Sequence, residues 1–428
     1  MKQGGIKRHS PDEEPVSGEP PNLSEYVLLV SGDLGTGERI DTARQRRAMD
    51  ISDWNTLYYV IFIPGMFHVK MALVDMLWKL FIRPFAQKSD HTSAGNATRY
   101  LCPTPKEENK ILKGPPTYQQ MKRFLKHLGN AERLTCWRTA LQNRFGPSIW
   151  SDLDDPMFIA HFTLTFTWGD TVAMAKDLVK KYFSLNSHAA RRKNPNQLTR
   201  DRELENTMLR NYYMLAYEET IYAMDWGDIG RLESCLVDWI PAFRAVGKHK
   251  YAYHLTTFFI NVKFNYPDRL SKAVRRSVLC NLSGKPGKFQ GNDWVVELNN
   301  LYTKVIYGGK GSNRTLERVL KESPLIQVYQ NVMTSVESLF LLGPGTVRHG
   351  EPDMRKTYDA IIHELDKNGL FRETPGRDSA KEIINAFSKG HEIFIKNRFT
   401  WDFDEDEEEQ GTMAHYDEDD IENGIDVY

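Results

Sequence analysis

Cysteine is scarce in this chain: Cys102, Cys136, Cys235 and Cys280 are the only four in 428 residues, far apart and with no Cys-x-x-Cys pair. That usage excludes a cysteine-built zinc module and argues against a disulfide scaffold, so a reducing, intracellular setting is expected, with the nucleus as one such place. Gly-x-Gly-x-x-Gly, the Gly-x-x-x-x-Gly-Lys-Ser/Thr phosphate loop, His-Glu-x-x-His and Gly-x-Ser-x-Gly are all missing. Nucleotide binding, zinc peptidase and α/β-hydrolase chemistry therefore have no motif behind them. The first 22 residues carry no apolar stretch, so no secretory signal is expected, and their Pro, Gly, Glu and Ser content predicts a disordered leader. No repeat at fixed period is visible. Long uninterrupted hydrophobic runs are also absent. The nearest, Leu57 to Ile82, is broken by His68, Lys70, Asp75 and Lys79, and a charge at mid-bilayer costs about 2.5–3.5 kcal/mol. The expected reading is no membrane span, with Val69–Phe81 as an amphipathic helix whose Asp75 and Lys79 form an i,i+4 pair on its polar face.

What is present is a chain long enough for a sizeable core, with 40% apolar and 11% aromatic residues. Its formal charge of −1 conceals an asymmetry. Residues 401–428 hold 13 of the 57 carboxylates and no Lys or Arg, leaving 44 against 56 basic residues in the rest, or about +12. A basic body with an acidic low-complexity tail points to nucleic acid as a partner and to the tail as an internal competitor for the same surface.

The chain is organised around its N-terminal segment. Tyr26–Val30 reads as a buried strand ending at Ser31-Gly32-Asp33, a helix is expected from about Glu38 to Met49, and Leu57–Ile63 reads as a second strand closed by Pro64-Gly65 and followed by Met66-Phe67-His68. In α/β sheets, reacting groups collect at the carboxyl ends of strands, which is where Asp33 and His68 fall. From Tyr118 a helical array follows: Tyr118–Leu128, Asp155–Phe166, Thr171–Tyr182, Thr199–Trp226, Ile229–Val246 and Tyr251–Phe264. A Gly- and Lys-rich loop, Asn281–Asn292, leads into a helix capped by Asp293, on which Glu297, Asn300 and Lys304 share one face. Arg314–Leu320, Pro324–Phe340, Met354–Asn368 and Ala380–Arg398 complete the expected helices, with a polar loop at Thr346–Gly350. The chain thus divides into a leader (1–22), the first part of an α/β core (23–85), a mostly helical insertion (86–290), a helical part completing the core (291–400) and the tail (401–428).

Four blocks, GDLGTGERI, PGMFHVKM, GRLESCLVDWIPAFRAVGKHKYAYHL and GKPGKFQGNDWVVELNN, resemble a domain-of-unknown-function family of mushroom-forming fungi, family 6589, over about Asn22 to Glu373. That resemblance implies no activity. A more distant one, to Mutator-like and hAT-like transposases with an RNase H-like core, implies a mechanism. Asp33 matches the second catalytic Asp at a strand end and His68 the histidine after the next strand. Tyr118–Phe264 matches the helical insertion, and Glu297 with Asn300 matches the catalytic Glu-x-x-Asn. Gly65 stands where that family has Cys or Asp.

The resemblance implies an α-rich α/β fold, a partial RNase H-like core of few strands interrupted by a long all-helical insertion. It also implies Mg²⁺ held by Asp33 and Glu297, since two-metal strand transfer needs carboxylates converging on ions about 3.5–4 Å apart. Only about 25 residues precede the first strand, too few for the upstream hairpin and first catalytic Asp. Either the copy is truncated or decayed, or the strand is assigned to the wrong place. The expected function is a transposase-derived, nucleic-acid-associated and catalytically incomplete protein, with Lys248, Lys250, Arg275, Arg276, Lys285, Lys288, Asn300 and Lys304 toward nucleic acid. The alternatives are a non-catalytic helical scaffold, in which Asp33 caps a helix and His68 is a satisfied core histidine, and a metal-dependent hydrolase.

Overall fold

In the computed structural model, residues 26–51, 53–82, 94–102, 104–106, 108, 111, 116–149, 155–307, 315–340, 353–379 and 381–396 are described. The expected leader at 1–22, the loop at 346–350 and the acidic tail at 401–428 lie outside them.

The chain opens with β1 (Leu28–Gly32), α1 (Leu34–Arg46), β2 (Val60–Pro64) and α2 (Met66–Leu77). The two strands pair in parallel, Leu28 opposite Val60 through to Gly32 opposite Pro64. Parallel neighbours need a crossover connection, and α1 supplies it. This helix begins four residues earlier than the apolar pattern suggests, because Asp33 caps it: the Thr36 N–H and hydroxyl donate to its carboxylate at 2.8 and 2.7 Å. The first turn, Leu34-Gly35-Thr36-Gly37, carries glycines that obscure a helix start in sequence.

Helix α2 corrects the amphipathic expectation. All twelve of its residues are buried, and a single π-turn, Trp78–Ile82, extends it. A helix buried on every side belongs inside a core, and its three ionisable residues must find partners there. Asp75 is buried with it and holds two cations, Lys79 at 3.0 Å and Lys248 at 2.8 Å. No helix among the described residues is long and apolar enough to cross a membrane.

The helical array then runs α3 (Tyr118–Phe145), α4 (Pro156–Thr165), α5 (Trp168–Tyr182), α6 (Leu185–Arg192), α7 (Arg202–Asp225), α8 (Ile229–Ala245), α9 (His249–Ile260) and α10 (Asp268–Arg276). A short antiparallel hairpin, β3 (Leu279–Cys280) with β4 (Gln290–Gly291), leads into α11 (Asp293–Tyr307). The remaining helices are α12 (Leu316–Glu322), α13 (Ile326–Leu339), α14 (Arg355–Lys367) and α15 (Ala386–Lys396). The fold is thus helix-rich, with two small two-stranded sheets among the described residues.

One apolar core gathers α2, the first half of α3, α7, α8, α9 and α15, with Trp239, Tyr213, Phe243 and Phe387 among its large side chains. A second, between α3, α5, α7 and α14, holds Met208, Tyr182, Leu365 and Phe371. Buried ion pairs knit the helices: Glu132 of α3 accepts from Arg210 and Asn211 of α7 at 2.7 and 2.9 Å. Asp201, before α7, receives both Arg377 Nε and a terminal guanidinium nitrogen at 2.9 Å.

Candidate functional site

The site forms where β1 and β2 end. Gly65 directly follows β2, and its N–H donates to the Gly32 carbonyl at 2.8 Å, holding the two strand ends together. Helix α2 starts at Met66 with no capping side chain of its own, since Gly65 has none. The cap comes from elsewhere. Asp293, the first residue of α11, accepts from the Phe67 N–H at 2.9 Å and the His68 N–H at 3.1 Å, and from His68 Nδ1 at 2.8 Å. Both carboxylate oxygens are thereby used, at a helix N-terminus whose dipole favours negative charge. A Cβ at Gly65 or at Gly291 would overlap this carboxylate, so both glycines are required by the close approach.

His68 lies at the centre. Nδ1 faces Asp293, and Nε2 stands 3.7 Å from Glu297 Oε1, an ion-pair separation longer than a hydrogen bond. Burial opposes a charge on this ring and is the largest single influence. The hydrogen bond to Asp293 and the charges of Asp293, Glu297 and Asp33 together outweigh it and raise the His68 pKa above the ordinary histidine value. Asp33 shows the mirror balance: burial raises its pKa, but the Thr36 hydroxyl and N–H, with the charges of His68 and Arg39, carry it below the usual carboxylate value. The surrounding carboxylates favour the protonated ring over the neutral one, which works against a general-base role for His68.

Linkage follows from the raised value. A histidine favoured as the cation in the folded state stabilises most below its unfolded pKa of about 6.5 and loses that contribution as pH rises through the folded value. In urea titrations of the wild type and His68→Gln, the difference in midpoint is expected to be largest at mildly acid pH and to narrow on the alkaline side. A constant difference across that range would place the contribution of His68 in packing instead.

The structure brings the sequence-predicted Asp33 and Glu297 each into electrostatic range of His68, although a helical array separates Glu297 from the other two. Glu297 is buried, whereas Asn300, one turn on, is exposed, so the stripe on α11 splits into an inward and an outward residue. Lys304 lies on the same helix, with its side chain outside what is described. Asp293 is the residue that sequence reasoning missed as a partner of His68. Two signals pointed to it: a glycine at the cap position of α2, and a second glycine two residues before Asp293.

The proposed nucleic-acid residues divide. Lys248 is buried and spent on Asp75, which corrects its assignment: burial leaves no route to a phosphate. Arg275 is committed to Glu233, one nitrogen at 3.0 Å, and Lys250 to Glu38 at 3.0 Å, though Lys250 remains half-exposed. Arg276, Lys285 and Lys288 are exposed, the two lysines on the hairpin loop that leads directly to Asp293. Phe289 N–H donates to the Asp225 carbonyl at 3.0 Å, fixing this loop to the end of α7.

Beneath the site Lys70 is buried, its Nζ 3.4 Å from Gln290 Oε1. Burial lowers its pKa and takes that of the neighbouring Lys122 down to about 8, while it raises that of Asp225.

A family profile matches residues 1–349. The chain belongs to DUF6589, a family of unknown function. The match takes in the first 22 residues and stops short of Glu373. The four blocks of this DUF6589 chain meet at α2: Asp33 and His68 at its start, Asp293 and Glu297 against that start, and Lys248 on Asp75 further along. A search of the curated proteins and of the solved structures returns no match.

Mg²⁺ does not fit the described residues. No group of three or more His, Cys, Asp or Glu side chains among them is placed to hold a metal ion. Asp293, the most buried carboxylate here, has both oxygens occupied by N–H groups, and one Asp33 oxygen serves the start of α1.

Proposed function

We propose that this DUF6589 chain is a nucleic-acid-associated protein with a transposase-derived, RNase H-like core that is catalytically incomplete. The observation that supports the reading is the approach of both Asp33 and Glu297 to His68 beside the carboxyl ends of a parallel strand pair, in the order and across the helical insertion expected of such a core. Incompleteness rests on the donor set, in which the best-placed carboxylates cap helices and hold His68. Association with phosphates rests on the exposed Arg276, Lys285 and Lys288 and on the excess of basic residues before residue 401.

A purified-chain assay tests both parts. Labelled duplex should be retained, and Arg276→Ala with Lys285→Ala and Lys288→Ala should weaken retention for every sequence and flatten its salt dependence by about one unit per residue removed. Supercoiled DNA should stay intact in Mg²⁺ or Mn²⁺. Metal-dependent nicking that disappears in Asp33→Ala would reveal a working site and overturn the incomplete one.

A second reading is favoured by the capping role of Asp33 and the fully satisfied Nδ1 of His68: a helical scaffold in which the cluster serves only to hold α1, α2 and α11 together. Absence of any nucleic-acid retention would leave that reading standing.

A further inference from the structure

Between α8 and the end of α9 lies an open groove of about 580 Å³. Its floor exposes apolar side chains that a folded chain ordinarily covers: Val237 is 51%, Ile260 46% and Phe264 82% exposed. Its rim is basic. Lys263 and Arg275 share the single carboxylate of Glu233, and Lys272 and Arg276 on the exposed side of α10 pair with no carboxylate among the described residues. An apolar floor with a cationic edge fits a ligand that alternates large apolar and acidic side chains.

The chain carries such a segment. After Lys396 come Trp401-Asp402-Phe403-Asp404, and carboxylates then run unbroken to Glu409. Helix α15 ends at Lys396 and packs along α8, with Gly390 against the Pro241 backbone, and α8 is also one wall of the groove. Trp401 is five residue steps from Lys396, an extended reach of about 17 Å. The tether therefore starts on a helix packed against one wall of the groove.

We infer that residues 401–409 of the same chain occupy this groove, Trp401 and Phe403 seated on Val237, Ile260 and Phe264 and the following carboxylates along Lys263, Lys272 and Arg276. Tethering keeps the segment at high effective concentration, so a modest intrinsic affinity suffices. The docking needs no nucleic acid, although it shares Arg276 with the phosphate-facing residues proposed above. It names a physical seat for the tail on the α8–α10 side, whereas Lys285 and Lys288 lie on the hairpin that precedes Asp293.

The test is photo-crosslinking of the full-length chain with Phe403→p-benzoylphenylalanine, analysed by peptide mass spectrometry. Crosslinks within a single chain to peptides containing Val237, Ile260 or Phe264 are expected. Their yield should fall about fivefold in Lys272→Glu/Arg276→Glu, since rim charges govern encounter more than core contacts do. A fold control comes from hydrogen exchange: Trp401→Ala, in the tail, should deprotect the groove segments of α8 and α9 and leave α2 unchanged. Crosslinks joining two chains would make a second copy the occupant and overturn the assignment. Crosslinks to other surfaces, no crosslink, or groove protection indifferent to Trp401→Ala would overturn it as well.

Discussion

Asp293→Ala is expected to destabilise the protein by about 3–5 kcal/mol, the usual cost of removing one member of a buried charged pair. The carboxylate is nearly inaccessible and answers three donors at once: two backbone N–H groups at the start of α2 and the His68 ring. Alanine would leave all three facing a low-dielectric interior. Asp293→Asn should cost less, because the amide oxygen keeps one acceptor and the shape is unchanged. Glu297→Gln should cost least of the three, since Glu297 meets His68 at 3.7 Å without a hydrogen bond. Urea midpoints of the three variants give this order directly, and equal losses for Asp293→Ala and Glu297→Gln would contradict the central role of Asp293.

The second large effect lies beyond the family match. A chain ending at residue 349 lacks α14 and α15, and with them the buried Phe387, Phe394, Leu365, Leu370 and Phe371. At about 1.5–3 kcal/mol for each large apolar side chain removed from burial, the loss is comparable with the whole stability of about 5–15 kcal/mol. Polar ties go too. Asn206 of α7 receives the Ile383 N–H at 2.9 Å and donates to the Lys381 carbonyl at 2.8 Å. The truncated chain is expected to melt without a cooperative transition and to bind hydrophobic dye. A point variant makes the same case within the full chain: a side chain at Gly390 would collide with the Pro241 carbonyl, so Gly390→Val should separate α15 from α8. A cooperative melt of residues 1–349 would show that the family-matched part folds without this strap.

Much of the N-terminal layout was legible because it is local. The apolar run Tyr26–Val30 and its polar stop mark β1, Pro64-Gly65 marks the end of β2, and Asp33 and His68 follow from those boundaries. Helix lengths were less legible. Gly129-Asn130 reads as a stop after Leu128, yet α3 continues to Phe145, because its second half is held by Glu132 on Arg210 and Asn211 and by Ala131 and Cys136 in the second core. Tertiary burial there outweighs a local breaker of about 1 kcal/mol. Short elements such as α6 and the two-residue strands β3 and β4 are too brief for a periodic pattern.

The trans-cap was barely legible for a different reason. Asp293 stands as the first residue of its own helix, a common place for Asp, and the glycine two residues before it marks a close approach without naming the helix, 225 residues away, whose N–H groups it serves. The misassigned Lys248 has the same origin. Its segment is glycine-punctuated and basic, like a surface loop, but its partner Asp75 sits on a helix buried on every side.

The measurement that bears most directly on nucleic-acid association is a titration of the full-length protein with labelled duplex of unrelated sequences over a range of salt concentrations. If Arg276, Lys285 and Lys288 with Lys250 meet phosphates, each displaces condensed counterions, and the logarithm of affinity should fall with the logarithm of salt at a slope of roughly −3 to −4, alike for every sequence. A flat or absent response at low ionic strength, with the protein folded by its melt, would contradict nucleic-acid association and leave the His68 cluster a structural clasp.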